Sequence, residues 1–149
     1  MKLNLGCGLK KLDDYINLDK DDFDLNNIPY PFKDNSIEEL IISHVLEHLN
    51  NRLDVMIELN RVLKIGGILK VVLPIKSNIV NHKSYIHSKK YFNPLCMNRD
   101  IDGLQVKNIF RLQSFKRKRL KSFKNIIGDL KEDIISRLYN ENEYILIKK

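Results

Sequence analysis

The sequence predicts an α/β fold with a mostly parallel central sheet. Short apolar segments that are typical of buried strands occur at 2–5, 15–19, 40–42 and 68–73, and an amphipathic segment at 50–63 predicts a helix between the last two. Short apolar strands around a helix favour a parallel α/β sheet. A glycine turn directly after the first strand is the third observation, because such a turn lets a ligand approach the backbone closely.

The first two strands are predicted from alternation and from what ends them. Residues 2–5 alternate polar and apolar side chains and lead into Gly6-Cys7-Gly8, which predicts a short strand that enters a glycine turn. Residues 15–19 predict a second strand that ends in the carboxylate of Asp19. Pro29 and Pro31, followed by Asp-Asn-Ser at 34–36, predict a loop.

The third strand and the helix follow that loop. Leu40-Ile41-Ile42 is an apolar run of the kind expected for a strand buried on both faces. Apolar residues recur at helical spacing over 50–63, and Asn50 or Asn51 is expected to cap the helix start. Gly66-Gly67 is expected to end the helix, because glycine accepts the left-handed conformation there. Residues 68–73 then predict the next buried strand, closed by Pro74.

The second half of the chain is less regular. The pattern predicts a loop with a short helix, a strand, an amphipathic helix and a last strand, at 76–104, 106–115, 118–139 and 144–147. No linker is visible. We therefore expect one domain over 1–149, with a first half at 1–75 and a basic second half at 76–149.

The charge divides between the same halves. The net charge of the 149 residues is +7, but residues 1–74 hold 9 basic and 12 acidic residues, whereas residues 75–149 hold 17 and 7. The basic excess is therefore separable from the chemistry of the first half. Two cysteines are too few for a disulfide framework, no apolar run approaches a membrane span and no signal peptide is visible, so a cytoplasmic protein is expected.

The glycine turn and Asp19 form the first pair with a chemical meaning. A carboxylate at the end of the second strand is placed to accept two hydrogen bonds from a ribose diol. Asp19 lies 11 residues after Gly8, whereas the usual dinucleotide fingerprint places its acid about 20 residues on. We therefore expect the first helix to be absent or reduced to about one turn.

Four segments together resemble a known family. They read LNLGCG, YINLD, IPYPFKDNSIEELIISHVLEHL and ELNRVLKIGGILKVVLP, and they cover about residues 2–75. In this order and spacing they resemble the class I S-adenosylmethionine-dependent methyltransferases in their small type 11 form. The resemblance implies a compact Rossmann-like methyltransferase fold, with the first helix shortened or missing, and an enzyme that uses S-adenosylmethionine as cofactor.

The resemblance also implies roles for individual residues. The turn along the methionine part of the cofactor would consist of Leu5, Gly6, Cys7 and Gly8. Asp19 would bind the ribose hydroxyls and Asp24 the adenine amino group, while Ser43 and His44 would lie beside the sulfonium and the acceptor. The family's usual acid at the first strand, which holds the methionine ammonium, is Asn4 here; an amide still accepts a hydrogen bond but supplies no charge.

His44 is the candidate general base, because the imidazole titrates near neutrality. The alternative is that His44 only caps or packs the strand end, and His48 is expected to brace the loop. His44, Glu47 and His48 share one side of a helical turn and resemble the magnesium-binding segment of small-RNA 2′-O-methyltransferases, with His82 or His87 as further ligands. We favour no metal at this position.

Two features of the second half concern the acceptor. In the resembled family an acceptor lid follows the last matched strand, and it would be lined here by His82, Tyr85, His87 and Tyr91; a polar surface loop is the alternative. Five cations stand at Lys116, Arg117, Lys118, Arg119 and Lys121. One interpretation is that they bind phosphate groups. The other, which we favour, is that they form the solvated face at the start of an amphipathic helix.

The resulting interpretation is methyl transfer from S-adenosylmethionine to a small metabolite or glycan precursor. One alternative is an RNA methyltransferase that uses the basic second half. Another is a non-catalytic binding module that keeps the fold. The retained Asp19 and His44 favour activity, whereas Asn4 and the short first crossover favour its loss.

Overall fold

A computed structural model of the chain describes residues 1–74, 99–101, 104–106, 109–118 and 141–149. One α-helix and eight strands occur in these ranges. In chain order they are β1 (Lys2–Leu5), β2 (Ile16–Leu18), β3 (Ile37–Ser43), a 3-10 turn (Leu46–His48), α1 (Arg52–Val62), β4 (Leu63–Pro74), β5 (Arg99–Ile101), β6 (Leu104–Val106), β7 (Phe110–Lys118) and β8 (Glu141–Lys148).

Six of the strands form one mixed sheet with the order β2-β1-β3-β4-β8-β7. The first four strands in this order are parallel to one another, and β8 pairs antiparallel with both β4 and β7. Strands β5 and β6 form a separate antiparallel pair. The predicted α/β class with a mostly parallel sheet is thus confirmed.

The two faces of the sheet differ in character, because side chains alternate along each strand. One face carries fully buried leucines, isoleucines and valines, and these form a single cluster with the apolar side of α1, namely Val55, Met56, Leu59 and Val62. The opposite face carries Asn4, Ile41 and Lys70 in neighbouring register positions. Leu40 and Ile42 are fully buried on the α1 face, and Ile41 is partly buried on the other.

The first crossover contains no helix, as the short spacing predicted. Residues 6–15 form turns and extended chain that return from the end of β1 to the start of β2. A four-residue strand rises about 13 Å, and ten residues of extended chain reach about 33 Å. The crossover is therefore long enough to connect two adjacent parallel strands without a helix.

The predicted helix is confirmed as α1, but its end differs from the prediction. The helix stops at Val62, and Leu63 is already extended. Gly66 and Gly67 lie inside β4, where the pairing with β3 skips from Leu63 to Ile68. The glycines therefore form an irregularity in a strand and are not a helix cap, because pairing with β3 begins directly at Leu63.

Asn51 occupies the N-cap position of α1, and its side chain makes no capping hydrogen bond. The predicted position is confirmed, whereas the expected capping interaction is absent at this residue. The backbone oxygen of Asn51 accepts from the amide of Val55 at 3.0 Å. The first turn of the helix thus closes through the backbone alone.

The strand assignments of the second half are partly confirmed. The predicted last strand at 144–147 lies within β8, and the strand predicted at 106–115 is β7, shifted to Phe110–Lys118. Lys116, Arg117 and Lys118 pair with β8 and do not open a helix, so the expectation of a helix start is wrong for these three. Residues 119–139 of the predicted helix lie outside the described ranges.

A polar group braces the proline-containing loop against α1. Glu58 is buried, and its Oε1 accepts from the backbone N–H of Tyr30 at 2.7 Å. Arg61 donates to Glu58, to the side chain of Asp34 and to the backbone oxygens of Tyr30 and Phe32. These contacts fix the loop that leads into β3. No helix in the described part of the chain combines the length and the apolar character needed to cross a membrane.

Candidate functional site

The candidate site lies at one edge of the sheet. Strands β2, β1 and β3 are adjacent and parallel, so their carboxyl ends, Leu18, Leu5 and Ser43, come together. Ligands of open α/β sheets bind outside the carboxyl ends of the strands. Each strand end carries predicted cofactor residues. Gly6 to Gly8 follow β1, Asp19 follows β2, and β3 ends at Ser43, which His44 follows.

The glycine turn is fixed to both neighbouring strands. The backbone N–H groups of Gly6 and Cys7 donate to the oxygen of Leu18, at 2.8 and 3.2 Å. Gly6 has a φ of +64°, and a Cβ at this position would lie 2.3 Å from Cγ2 of Val45. Glycine is therefore required here for both conformation and space.

Gly8 differs from Gly6 in its surroundings. Its φ of +49° also favours glycine, but nothing lies within 4 Å of the position that a Cβ would take. Gly8 is exposed, whereas Cys7 between the two glycines is buried. The turn thus packs through Gly6 and Cys7 and presents open backbone at Gly8.

Asp19 begins a tight turn after β2. Its backbone oxygen accepts from the N–H groups of Asp22 and Phe23, at 3.0 and 2.8 Å. Its own Oδ1 accepts from the N–H of Lys20 at 2.9 Å. The half-buried carboxylate is therefore held next to Leu18, the residue that anchors the glycine turn.

Asp24 lies in the same turn region and is also bonded locally. Its Oδ1 accepts from the backbone N–H and the side-chain amide of Asn26, at 2.9 and 3.0 Å. These hydrogen bonds, the backbone one foremost, lower the pKa of the Asp24 carboxyl below its usual range. Asn26 in turn accepts from the N–H of Asn50 at 3.1 Å, which links this turn to the segment before α1.

His44 directly follows β3 and has an unusual backbone conformation. Its φ is +56°, and its N–H donates to the oxygen of Val72 at 3.0 Å. Non-glycine residues with positive φ are uncommon, and strained residues cluster at functional sites. Its Nδ1 lies 3.7 Å from Oε1 of Glu47, and its side chain is partly exposed.

Glu47 is a buried carboxylate. The sequence predicts a role for it only as a ligand of a possible metal site. Its Oε1 lies between His44 and His48, 3.8 Å from Nε2 of the latter. Its Oε2 has no hydrogen-bond partner among the described residues. In these ranges no group of three or more histidine, cysteine or carboxylate side chains is placed to hold a metal ion.

Asn4 is buried beneath the turn, on the face of the sheet opposite α1. Its Nδ2 donates to the backbone oxygen of Lys10 at 2.9 Å and to Oδ1 of Asn17 at 2.8 Å. Any contact of Asn4 with the cofactor therefore falls to its Oδ1. Asn17 was not predicted as a site residue, although both strands place asparagine before leucine at corresponding positions, Asn4-Leu5 and Asn17-Leu18.

The predicted acceptor residues His82, Tyr85, His87 and Tyr91 lie outside the described ranges, as do Arg119 and Lys121 of the basic run. Lys116 is exposed on β7, at the edge of the sheet opposite β2. The sheet order places four strands between β2 and β7. Lys116 is thus separated by four strands from β2, the strand that Asp19 follows.

Comparison with known sequences matches part of the first half of the chain. The family described as methyltransferase domain matches residues 9–71. An uncharacterized protein of Methanocaldococcus jannaschii is 33% identical over 82 residues, which include 54% of this chain and 36% of that protein. The chain thus spans about a third of the length of this curated relative.

Solved structures with the same fold have low sequence identity to this chain. A proposed methyltransferase in complex with the Trm112 methyltransferase activator, from Haloferax volcanii, gives a TM-score of 0.61 at 10% identity, over 99% of this chain and 81% of that one. A proposed type 11 methyltransferase from Sulfolobus solfataricus gives 0.55 at 15%, over 99% and 71%. The [4+2]-cyclase SpnF gives 0.55 at 13%, over 99% and 73%.

At these identities the structural likeness concerns the fold, and a fold by itself carries several chemistries. The sequence match is independent of the likeness and covers β2, β3 and α1 together with most of β4. Residues 9–71, which make up less than half of the chain, are therefore similar to the methyltransferase domain family, and the chain has the class I methyltransferase fold.

Proposed function

We propose that the chain binds S-adenosylmethionine at the carboxyl edge of β1, β2 and β3 and transfers its methyl group to a small-molecule acceptor. The convergence of three strand ends on the glycine turn carries the proposal. The backbone oxygen of Leu18 accepts hydrogen bonds from the N–H groups of Gly6 and Cys7, and Val45 packs against Gly6. Asp19 and His44, each adjacent to one of these contacts, therefore flank the turn from opposite sides.

The residues present fit the cofactor in shape and chemistry. Gly8 presents backbone with open space in front of it, as a turn along the methionine part of the cofactor requires. Asp19 supplies a carboxylate, which suits a vicinal diol of the ribose. Asp24, held ionised by Asn26, supplies an acceptor for the adenine amino group.

The chemistry needs few protein groups. When bound, the cofactor supplies a sulfonium, which makes its methyl carbon electrophilic, so alignment by the protein provides much of the acceleration. The residues at this edge would align the acceptor atom with that methyl carbon. Where the acceptor carries a proton, the imidazole of His44 accepts it. The Nδ1 atom of His44 lies 3.7 Å from Oε1 of Glu47.

Calorimetry with S-adenosylhomocysteine tests the cofactor proposal. We expect saturable binding by the wild-type chain and at least about tenfold weaker binding by Asp19→Ala, a loss that corresponds to about 1.4 kcal/mol. Asp21→Ala is the matched control, because Asp21 carries the same charge in the same turn and is exposed. Absence of binding by the wild type, or equal affinities for the two variants, contradicts the proposal.

The RNA methyltransferase alternative rests on the far edge of the sheet. Arg111 and Lys116 are exposed on the edge strand β7, and exposed cations on one edge are suited to phosphates. If RNA binds there, Arg111→Glu with Lys116→Glu will abolish salt-sensitive retention of labelled RNA. Equal retention after the cations of residues 116–121 are also neutralised would remove this alternative.

A non-catalytic binding module that keeps the fold is the second alternative. Turnover separates it from methyl transfer. A chain that binds S-adenosylhomocysteine but produces none from S-adenosylmethionine, with extracted metabolites as acceptors, is a binding module. His44→Ala is expected to lower turnover more than it lowers cofactor affinity, if the acceptor must lose a proton.

A further inference from the structure

The side chains of Asn4 and Asn17 form a pair beneath the first crossover. The two residues are register partners on β1 and β2. Asn4 Nδ2 donates to Asn17 Oδ1 at 2.8 Å, and its second hydrogen goes to the oxygen of Lys10 at 2.9 Å. The pair thus joins both strands to the crossover that stands where a first helix is expected.

Asn17 binds the same crossover farther along the chain. Its Oδ1 accepts from the N–H of Leu12 at 2.9 Å, and its Nδ2 donates to the oxygen of Leu12 at 2.9 Å and to that of Tyr15 at 3.0 Å. Extended backbone that crosses a sheet face carries polar groups that need partners. The two amides supply partners for the backbone groups of Lys10, Leu12 and Tyr15, in a crossover that contains no helix.

The orientation of both amides follows from these contacts. Leu12 presents one N–H and one C=O to Asn17, and a backbone residue cannot exchange these roles, so the oxygen of the Asn17 amide is directed to Leu12 N and to Asn4. Asn4 must therefore donate. A carboxylate at position 4 would face two acceptors, the oxygens of Asn17 and Lys10, so the acid found here in the resembled family is incompatible with this crossover.

The crossover held by the amides is continuous with the glycine turn. Lys10, whose oxygen accepts from Asn4, donates its own N–H to the oxygen of Cys7 at 2.9 Å. Cys7 and Gly6 in turn donate to Leu18, which follows Asn17 on β2. A closed circuit of hydrogen bonds thus runs from Asn17 through Asn4 and Lys10 to the turn and back to β2.

We propose that Asn17, acting through Asn4 and the crossover, is the positioning residue that holds the glycine turn in its binding shape. This inference rests on the proposed cofactor site and assigns to an amide pair the role that a helix N-terminus serves elsewhere in such folds. Asn17 itself contacts no reacting group. Its substitution changes the geometry of Gly6–Gly8 and thereby the affinity for the cofactor.

Calorimetry with S-adenosylhomocysteine on folded variants tests the proposal. We expect Asn17→Ala to weaken binding about tenfold or more. Asn17→Asp keeps the acceptor for Leu12 and Asn4 but loses both donations, so we expect a smaller weakening. Asn60→Ala is the control, because Asn60 on α1 also donates its amide to a backbone oxygen, that of Ile109 at 2.9 Å. It lowers stability and leaves affinity within about twofold.

Hydrogen exchange of the backbone separates this inference from the proposed function. Asn17→Ala is expected to accelerate amide exchange at residues 6–12, and Asn60→Ala is not. If the wild type binds no S-adenosylhomocysteine, the proposed function fails while the exchange result still decides whether the amides hold the turn. Unchanged exchange at 6–12 in Asn17→Ala, or equal affinity losses in Asn17→Ala and Asn60→Ala, would overturn the positioning role.

A second variant tests the orientation argument. Asn4→Asp places a carboxylate against the two acceptors, so its melting temperature falls below that of the wild type at neutral pH. Protonation restores one donor, so the difference narrows as the pH is lowered from about 8 to about 5. A difference that is constant or grows over this range would show that Asn4 need not donate.

Discussion

Alanine at Gly6 is the sharpest test of how the candidate site is built. The substitution has two separate costs. The backbone of Gly6 is left-handed, with φ +64°, and an L-residue in that conformation costs about 1–2 kcal/mol. The added Cβ would also lie 2.3 Å from Cγ2 of Val45 and 3.2 Å from Cγ1. Overpacking of this kind costs about 1–3 kcal/mol.

The sum, about 2–5 kcal/mol, is a large part of the stability of a typical domain. Gly8→Ala is the matched control, because Gly8 has a φ of +49° and no atom within 4 Å of its Cβ position. It carries the backbone cost alone, about 1–2 kcal/mol. Urea unfolding of both variants measures the difference, since the midpoint shifts in proportion to the lost stability.

A double-mutant cycle with Val45→Ala isolates the packing cost. Removing the two γ-methyl groups of Val45 creates room for the new methyl group, so the double variant recovers about 1–3 kcal/mol relative to the sum of the single changes. Equal unfolding midpoints for Gly6→Ala and Gly8→Ala, or a cycle without coupling, would refute the claim that the turn packs directly on the segment after β3.

Two further predictions concern residues outside the candidate site, Glu58 on α1 and the glycine pair in β4. The hydrogen bonds from Arg61, foremost, lower the pKa of the Glu58 carboxyl below its usual range. The ionised carboxylate therefore stabilises the fold above the usual pKa of a glutamate, and this stabilisation is lost as the pH falls through the lowered value. Glu58→Gln is expected to lower the free energy of unfolding by about 1–3 kcal/mol at neutral pH. The difference from the wild type is expected to close in acid, as measured by urea unfolding across pH, and a difference independent of pH would contradict the ion pair. Gly67→Ala is expected to lower the melting temperature more than Gly66→Ala. A Cβ at 67 would lie 2.8 Å from the backbone oxygen of Lys64, whereas a Cβ at 66 would meet nothing within 4 Å and would carry only the strain of φ +77°. A larger loss in Gly66→Ala would contradict the described geometry of the irregularity in β4.

The sequence predicted the cofactor half of the fold well, because the signals there are local. Alternation and apolar runs placed β1, β2, β3 and β4, and the position of Asp19 only 11 residues after Gly8 predicted the loss of the first helix. Chain reach alone decides that such a gap leaves little room for a helix and two turns. The roles predicted for the site residues stay predictions, although the structure brings the turn, Asp19 and His44 to one edge.

The wrong predictions share a physical cause. Gly66-Gly67 looked like a helix end, and Lys116 to Lys118 looked like a helix start, because both judgements used only neighbouring residues. In the structure β3 pairs with Leu63 and skips the glycines, and β8 pairs with the cations. Strand pairing with a distant segment overrode the local propensity in both places.

What the sequence by itself determined is the order of the elements, the glycine turn and the acids that follow the strands. What only the tertiary structure decided is the direction and burial of polar side chains. Glu58 is buried because Tyr30 and Arg61 reach it from another loop and from its own helix. Asn4 must donate because Asn17, 13 residues on, is fixed by Leu12. The partner of a polar group is set by chain segments that meet only after folding, and a local pattern does not contain that information.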